Sequence, residues 1–98
     1  MTINKNKNGA TLKMAVEGRL DTTTAPQLEN EIKGSLEGIT DLVFDLSSLE
    51  YISSAGLRVL LSAQKIMNNQ GKMTVKNANE TLMEIFEVTG FVDILDIE

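Results

Sequence analysis

Apolar and polar residues alternate near the start of the chain, as they do in a half-buried β-strand. Every second side chain of residues 11–17 is apolar, so this segment is predicted to be a strand, which Gly18 interrupts. Asn8-Gly9 just before it is a strong signal for a two-residue hairpin turn. Residues 3–7 are therefore predicted to form a short edge strand antiparallel to it.

Three later segments repeat apolar residues at the three- and four-residue spacing of an amphipathic helix. Cap signatures precede two of them, and a glycine follows each of the three. The predicted helices are one capped by Thr24 with Gln27 and closed by Gly38, one over residues 55–69 ended by Gly71, and one capped by Asn77 with Glu80 and stopped by Gly90.

The other apolar runs lie between these helices. Residues 41–46 contain a continuous apolar triplet, typical of a central strand covered on both faces. Residues 72–76 and 91–97 are predicted strands, while residues 47–52 are predicted to be a loop or a short extension. The order β-β-α-β-α-β-α-β predicts an α/β fold, with a mixed, mostly parallel sheet, an N-terminal hairpin and helices packed on it. The length suits a single domain, residues 1–98.

The composition removes several classes of function. The chain has no Cys and no His, so it lacks a thiol nucleophile, an imidazole base and the usual transition-metal ligands. We expect no enzyme activity, no cofactor and no metal site. A net charge of −5 disfavours nucleic acid and direct membrane binding. The N-terminus lacks the apolar core of a secretory signal, so a cytoplasmic protein, monomeric when alone, is expected to bind a protein or a small ligand.

The stretch YISSAGLRVL at residues 51–60 places two serines between a strand-like and a helix-like apolar run. A serine there can simply cap the unpaired N–H groups of the helix start. However, Gly56 in the first turn costs roughly 1 kcal/mol relative to Ala, which asks for a reason such as close backbone approach. Junctions of this kind also lie at the sheet edge where partners bind. Without a histidine to deprotonate it, a serine modified by phosphorylation fits better than a nucleophile.

Three segments together resemble a known family. The stretches DLSSLEYISSAGLRVLL, GRLD and EVTGF are similar to the STAS domain of bacterial anti-sigma factor antagonists. The resemblance implies partner switching, in which the unphosphorylated antagonist binds an anti-sigma factor that is also an ATP-using serine kinase, and so releases a sigma factor. Phosphorylation of the antagonist's serine abolishes binding, and a PP2C-type phosphatase restores it.

The resemblance also assigns residues by motif position. Ser54, two residues before Gly56, matches the phosphoacceptor, and Asp21 at the end of GRLD matches an acidic residue near it. Many relatives carry Asp where this chain has Ser53, which leaves Ser53 as the cap and as a second candidate acceptor. The residues expected to bind the partner are Asp21, Thr22, Thr23, Ser53, Ser54, Ala55, Gly56, Leu57 and Arg58.

Several residues keep a second interpretation at this point. Asp21 can instead cap its own threonine-rich turn, and Asp45 is expected to face an edge or a loop and not to bind a metal. Arg58 belongs to a polar stripe with Ser62 and Lys65 that is either solvated or part of an interface. For the whole protein, the alternative is a non-switching STAS scaffold or ligand-binding subunit of a membrane transport complex.

Overall fold

The N-terminal hairpin forms where the alternation of side chains predicts it. In the computed structural model, which describes residues 1–98, β1 (Thr2–Asn8) runs antiparallel to β2 (Thr11–Leu20). Gly9 in the turn has a φ of 64°, a left-handed conformation that costs glycine little. Nearly all of β1 is exposed, whereas alternate side chains of β2 are buried. β1 is therefore an edge strand, as predicted.

Six strands and three helices make up the fold. The elements after the hairpin are α1 (Ala25–Lys33), β3 (Asp41–Asp45), β4 (Leu49–Ile52), α2 (Ser54–Asn68), β5 (Lys72–Lys76), α3 (Glu80–Thr89), a 3₁₀ turn (Phe91–Asp93) and β6 (Asp96–Ile97). Parallel pairs join β2 to β3, β3 to β5 and β5 to β6, and β4 pairs in parallel with the far end of β2. This mixed, mostly parallel sheet confirms the predicted fold class.

Gly18 bends β2 without ending it. Its φ is 97°, and the register with β4 shifts between Gly18 and Arg19. The Gly18 N–H donates a hydrogen bond of 2.9 Å to the Ser48 carbonyl, which holds the chain after β3 beside β2. The predicted end of the strand at Gly18 is therefore wrong, and residues 47–52 contain the separate strand β4.

The first helix starts without the predicted capping box and ends earlier than its apolar stripe suggests. Thr24 makes no side-chain cap bond to α1. At the other end, the Gly34 N–H donates to the Asn30 carbonyl at 3.2 Å, and the helix stops at Lys33. Gly38 lies in the turn before β3 with a φ of 78°. Both the capping box and the closure at Gly38 are thus wrong.

The last third of the chain has two more differences from the prediction. Asn79, not Asn77, caps α3, because its side-chain oxygen accepts a 2.8 Å hydrogen bond from the Leu82 N–H. Gly90 ends the helix in a left-handed conformation, as predicted. Residues 91–97 then form a 3₁₀ turn and the two-residue strand β6 in place of one continuous strand.

The buried apolar side chains form one continuous core against one face of the sheet. Leu42 and Phe44 of β3 are fully buried in it, whereas Val43 on the opposite face is only half-buried. Its neighbour on that face, Thr74 of β5, is 4% exposed, so the second face of β3 is covered only in part and not fully as expected. None of the three helices combines the length and the apolar character needed to cross a membrane.

Candidate partner-binding site

Ser53 and Ser54 stand at the junction of β4 and α2, and only Ser53 caps the helix. Its backbone is extended, and its hydroxyl oxygen accepts a hydrogen bond from the Gly56 N–H at 3.4 Å. Ser54 is the first residue of α2, is exposed, and makes no side-chain hydrogen bond within the protein. The prediction that Ser53 is the cap is confirmed. The Ser54 hydroxyl is left free at the positive end of the helix dipole.

Position 56 has no room for a side chain, because neighbouring residues of the protein fill the space around it. A Cβ at this position would lie 2.7 Å from Leu20 Cγ, 2.8 Å from Ile52 Cγ1 and 3.0 Å from the Leu20 carbonyl oxygen. That same oxygen accepts a 2.9 Å hydrogen bond from the Ser53 N–H. The close approach that the sequence suggests is therefore between α2 and the ends of β2 and β4.

Asp21 organises the turn that links β2 to α1. Its Oδ1 accepts hydrogen bonds from the backbone N–H groups of Thr23 at 3.0 Å and Thr24 at 3.1 Å. These contacts, first the one with Thr24, lower the pKa of Asp21. The Thr24 hydroxyl accepts from the Asp21 N–H and donates to the Arg19 carbonyl, which explains why it does not cap α1. Asp21 thus caps its own turn.

Arg19 extends this turn toward β4. Its Nε lies 3.9 Å from Asp21 Oδ2, and its guanidinium stacks over the ring of Tyr51, 4.6 Å from the ring centre. A cation over an aromatic face is attracted by the ring quadrupole. Arg19 therefore links the side chains of Asp21 and Tyr51 next to the β4–α2 junction.

A groove of about 340 Å³ lies between α1 and α2 and reaches the first turn of α2. The residues that line it include Thr22, Pro26, Glu29, Ala55, Arg58 and Ser62. Thr22 comes from the Asp21 turn, and Ala55 follows Ser54, so the structure brings together the two segments that the sequence singles out. We call this the α1–α2 groove.

The predicted partner-binding residues do not all reach this surface. Thr22, Thr23 and Arg58 are exposed, and Ala55 is half-buried. Gly56 and Leu57 are buried, with Leu57 only 5% exposed, so they support the surface from beneath. Sequence reasoning missed the contributions of Pro26 and Glu29, whose signal was their place on the outward face of α1 near the Asp21 turn.

A second polar cluster lies at the carboxyl end of β3. Asp45 Oδ1 accepts 3.0 Å hydrogen bonds from the side chain of Asn77 and from the Ser47 N–H, and Lys13 Nζ is 3.6 Å from Oδ2. These contacts, chiefly the Asn77 amide, lower the pKa of Asp45 to about 2. Asn77 has a φ of 63°, a conformation that Asn tolerates better than most residues. The protein contains no group of three or more carboxylates arranged to hold a metal.

Comparison with known proteins identifies the family. The STAS domain profile matches residues 2–98. The chain belongs to the STAS domain family. An anti-sigma-B factor antagonist of Bacillus subtilis is 29% identical to this STAS protein over 98 residues, which cover 99% of this chain and 90% of the relative.

Solved structures agree with this assignment at the level of the fold. The crystal structure of an anti-sigma factor antagonist from Mycobacterium paratuberculosis matches with a TM-score of 0.89 and 24% identity, covering 98% of this chain and 83% of that one. The Bacillus cell fate determinant SpoIIAA in its phosphorylated form matches with a TM-score of 0.77 and 16% identity, covering 99% and 91%.

Family membership fixes the broad class of function. A putative anti-sigma factor antagonist of Bordetella bronchiseptica is 34% identical over 99 residues, which cover 99% of this chain and 85% of that relative. By sequence, the STAS protein therefore belongs with the anti-sigma factor antagonists. These are regulatory binding proteins and not enzymes, so membership confirms the prediction that this chain is not an enzyme.

Proposed function

We propose that the STAS protein is an anti-sigma factor antagonist that works by partner switching at Ser54. One observation carries the proposal: Ser54 is exposed at the first position of α2 with a free hydroxyl, while Ser53 supplies the cap. A phosphate on Ser54 therefore breaks no hydrogen bond of the fold. It also stands at a helix N-terminus, where negative charge is stabilised by about 0.3–1 kcal/mol.

In this proposal the unphosphorylated protein docks on an anti-sigma factor and so releases a sigma factor. The anti-sigma factor is also a serine kinase. The Ser54 oxygen forms a bond to the γ-phosphorus of ATP as the bond to the bridging oxygen breaks. ADP leaves, and the hydroxyl proton passes to a base of the kinase. A PP2C-type phosphatase reverses the modification by hydrolysis, releasing inorganic phosphate.

The loss of binding has a simple physical cause. A docked Ser54 is a neutral hydroxyl, whereas phosphoserine carries about −1.5 to −2 charges near neutral pH. Burying that charge at an interface without a matching cation costs several kcal/mol. Because nothing in the fold depends on the Ser54 hydroxyl, the modification changes the surface and leaves the core intact. The phosphorylated form of SpoIIAA, a protein of the same fold, supports this part of the proposal.

The test uses candidate anti-sigma factor kinases with ATP and the purified STAS protein. We expect a mass gain of one phosphate that Ser54→Ala abolishes and that Ser53→Ala retains, although Ser53→Ala costs about 1 kcal/mol of stability through the lost cap. Calorimetry should show that the phosphorylated protein binds the kinase at least about 30-fold more weakly, a difference of about 2 kcal/mol. Equal binding by the phosphorylated and unphosphorylated proteins would overturn the proposal.

A further inference from the structure

Arg58 is an exposed cation one helical turn beyond Ser54. Positions i and i+4 of a helix face the same side, with Cβ atoms about 5–6 Å apart. Both side chains are exposed, Arg58 lines the α1–α2 groove, and so does Ala55, the residue after Ser54. The Arg58 guanidinium can therefore reach a group attached to the Ser54 oxygen without any movement of the backbone.

Arg58 also has no competing ion pair. Glu29, the acidic residue that lines the same groove, forms its ion pair with Lys33 of α1 at 3.1 Å. Arg19, the other arginine of the chain, is engaged by Asp21 and by the ring of Tyr51. Of the two arginines, Arg58 is thus the one that is free to accept a new anion. The remaining ionisable group on the adjoining strand β4 is Glu50, which is exposed.

Building on the proposed function, we infer that Arg58 is the intramolecular counter-ion of the phosphate on Ser54. A guanidinium matches a phosphate in two parallel hydrogen bonds, which a lysine ammonium does not reproduce. The order also suits the helix, because the acidic group precedes the basic one by four residues. The pairing would hold Arg58 toward Ser54 and away from any partner in the groove. Phosphorylation would then add an anion and withdraw a cation from the same surface.

The test measures the second pKa of the phosphate by ³¹P NMR. Phosphoserine is inserted at position 54 during translation, so that no kinase is needed. Three such proteins are compared: the otherwise unaltered chain, Arg58→Gln and Lys65→Gln. Gln has nearly the helix propensity of Arg and Lys. Lys65 lies on the same helix about 16 Å beyond Ser54, so Lys65→Gln removes the same charge far from the phosphate.

The second pKa of phosphoserine is ordinarily about 6. We expect Arg58→Gln to raise it by about 0.3–0.5 unit relative to the unaltered protein, because the dianion loses its partner. Lys65→Gln should leave it unchanged, and Arg58→Lys should give an intermediate value. Adding salt to 1 M should shrink the difference, since the pair is exposed. Far-UV circular dichroism of each variant checks that α2 is intact.

Two results would overturn the inference: the same pKa in Arg58→Gln and the unaltered protein, or an equal shift in Lys65→Gln. The outcome is separable from that of the proposed function. If phosphorylation abolishes partner binding but the pKa values coincide, only the pairing with Arg58 is wrong. If the pKa values differ but the phosphorylated protein still binds, the pairing stands and the switch is wrong.

Discussion

At the residue scale, the charge of Asp45 stabilises the end of β3. The Asn77 amide and the Ser47 N–H donate to this carboxylate, and its side chain is only 15% exposed. Its pKa of about 2 in the folded protein lies below the ordinary 3.8. The stabilisation is therefore fully present above about pH 4 and is lost as the pH falls through 2.

We expect Asp45→Asn to lower the free energy of unfolding by about 1–2 kcal/mol at pH 7, and by progressively less between pH 4 and pH 2. Urea unfolding at each pH measures the difference. Asp93→Asn is the matched control, since it removes the same charge from an exposed carboxylate that has no side-chain hydrogen bond. A loss that stays constant from pH 7 to pH 2 would contradict the role given to the Asp45 charge.

The helix caps show how far the role of a single residue can be predicted from the sequence. Ser53 is predictable because serine is a preferred N-cap and stands just before a helix-like apolar run. The extended backbone of Ser53 and its hydrogen bond from the Gly56 N–H agree with that prediction. Thr24 has the right type and spacing, but its hydroxyl is already engaged by the Asp21 turn. The side chain of Asn77 donates a hydrogen bond to Asp45 at the end of the neighbouring strand β3, and Asn79 caps α3 instead. In the first failure the sequence offers two roles for the same local turn and does not choose between them, and in the second the competing partner, Asp45, lies 32 residues away in the chain.

At the element scale, the start of α2 depends on the absence of a side chain at Gly56. We expect Gly56→Ala to destabilise the protein by about 1–3 kcal/mol, because the new Cβ would press on Leu20 and Ile52. This loss outweighs the gain of about 1 kcal/mol in helix propensity. Thermal and urea unfolding measure it.

Gly34→Ala provides the comparison for that substitution. The nearest atom to its new Cβ is the Asn30 carbonyl oxygen at 3.6 Å, an ordinary contact, and the Gly34 φ is −86°. We expect it to be neutral or to stabilise by up to about 1 kcal/mol. If Gly56→Ala behaved like Gly34→Ala, the close packing of α2 on β2 and β4 would be refuted.

The elements themselves are predictable to different degrees. The hairpin, three helices and parallel strands follow from side-chain periodicity, which is strong in segments with one buried face. The strand β4 does not, because it is only four residues long and pairs only with the end of β2 from Gly18 onward. Gly18 suggests a break, and its bulge with a left-handed φ is what allows β2 to continue. A single misjudged glycine therefore accounts for two wrong boundaries.

At the scale of the whole molecule, protection from solvent should fall from the centre of the sheet to its N-terminal edge. β3 is paired on both sides and buries Leu42 and Phe44, while β1 is paired only with β2 and is almost entirely exposed. We expect outer amides of β1 to exchange with solvent at least about 1,000-fold faster than those of Phe44. Hydrogen exchange followed by NMR measures this, and uniform protection across both strands would contradict it.

The site is also a property of the whole molecule, which limits its prediction from sequence. The serines and Asp21 belong to segments more than thirty residues apart that each carry a recognisable motif. The positions of Pro26 and Glu29 on α1 near the Asp21 turn are readable from the sequence, but their contribution to the groove appears only when α1 and α2 are packed together. The burial of Leu57 is a consequence of the same packing.

The Leu20 carbonyl oxygen has a consequence for the speed of recognition. It accepts a hydrogen bond from the Ser53 N–H, and it lies 3.0 Å from where a Cβ at position 56 would be. The next residue, Asp21, accepts the hydrogen bonds that hold its own turn. Both sides of the surface are therefore anchored before any encounter, and docking demands little loss of conformational entropy. Association should then proceed in a single kinetic phase at about 10⁵–10⁷ M⁻¹s⁻¹. In the proposed switch, we therefore expect phosphorylation of Ser54 to act mainly by shortening the lifetime of the complex.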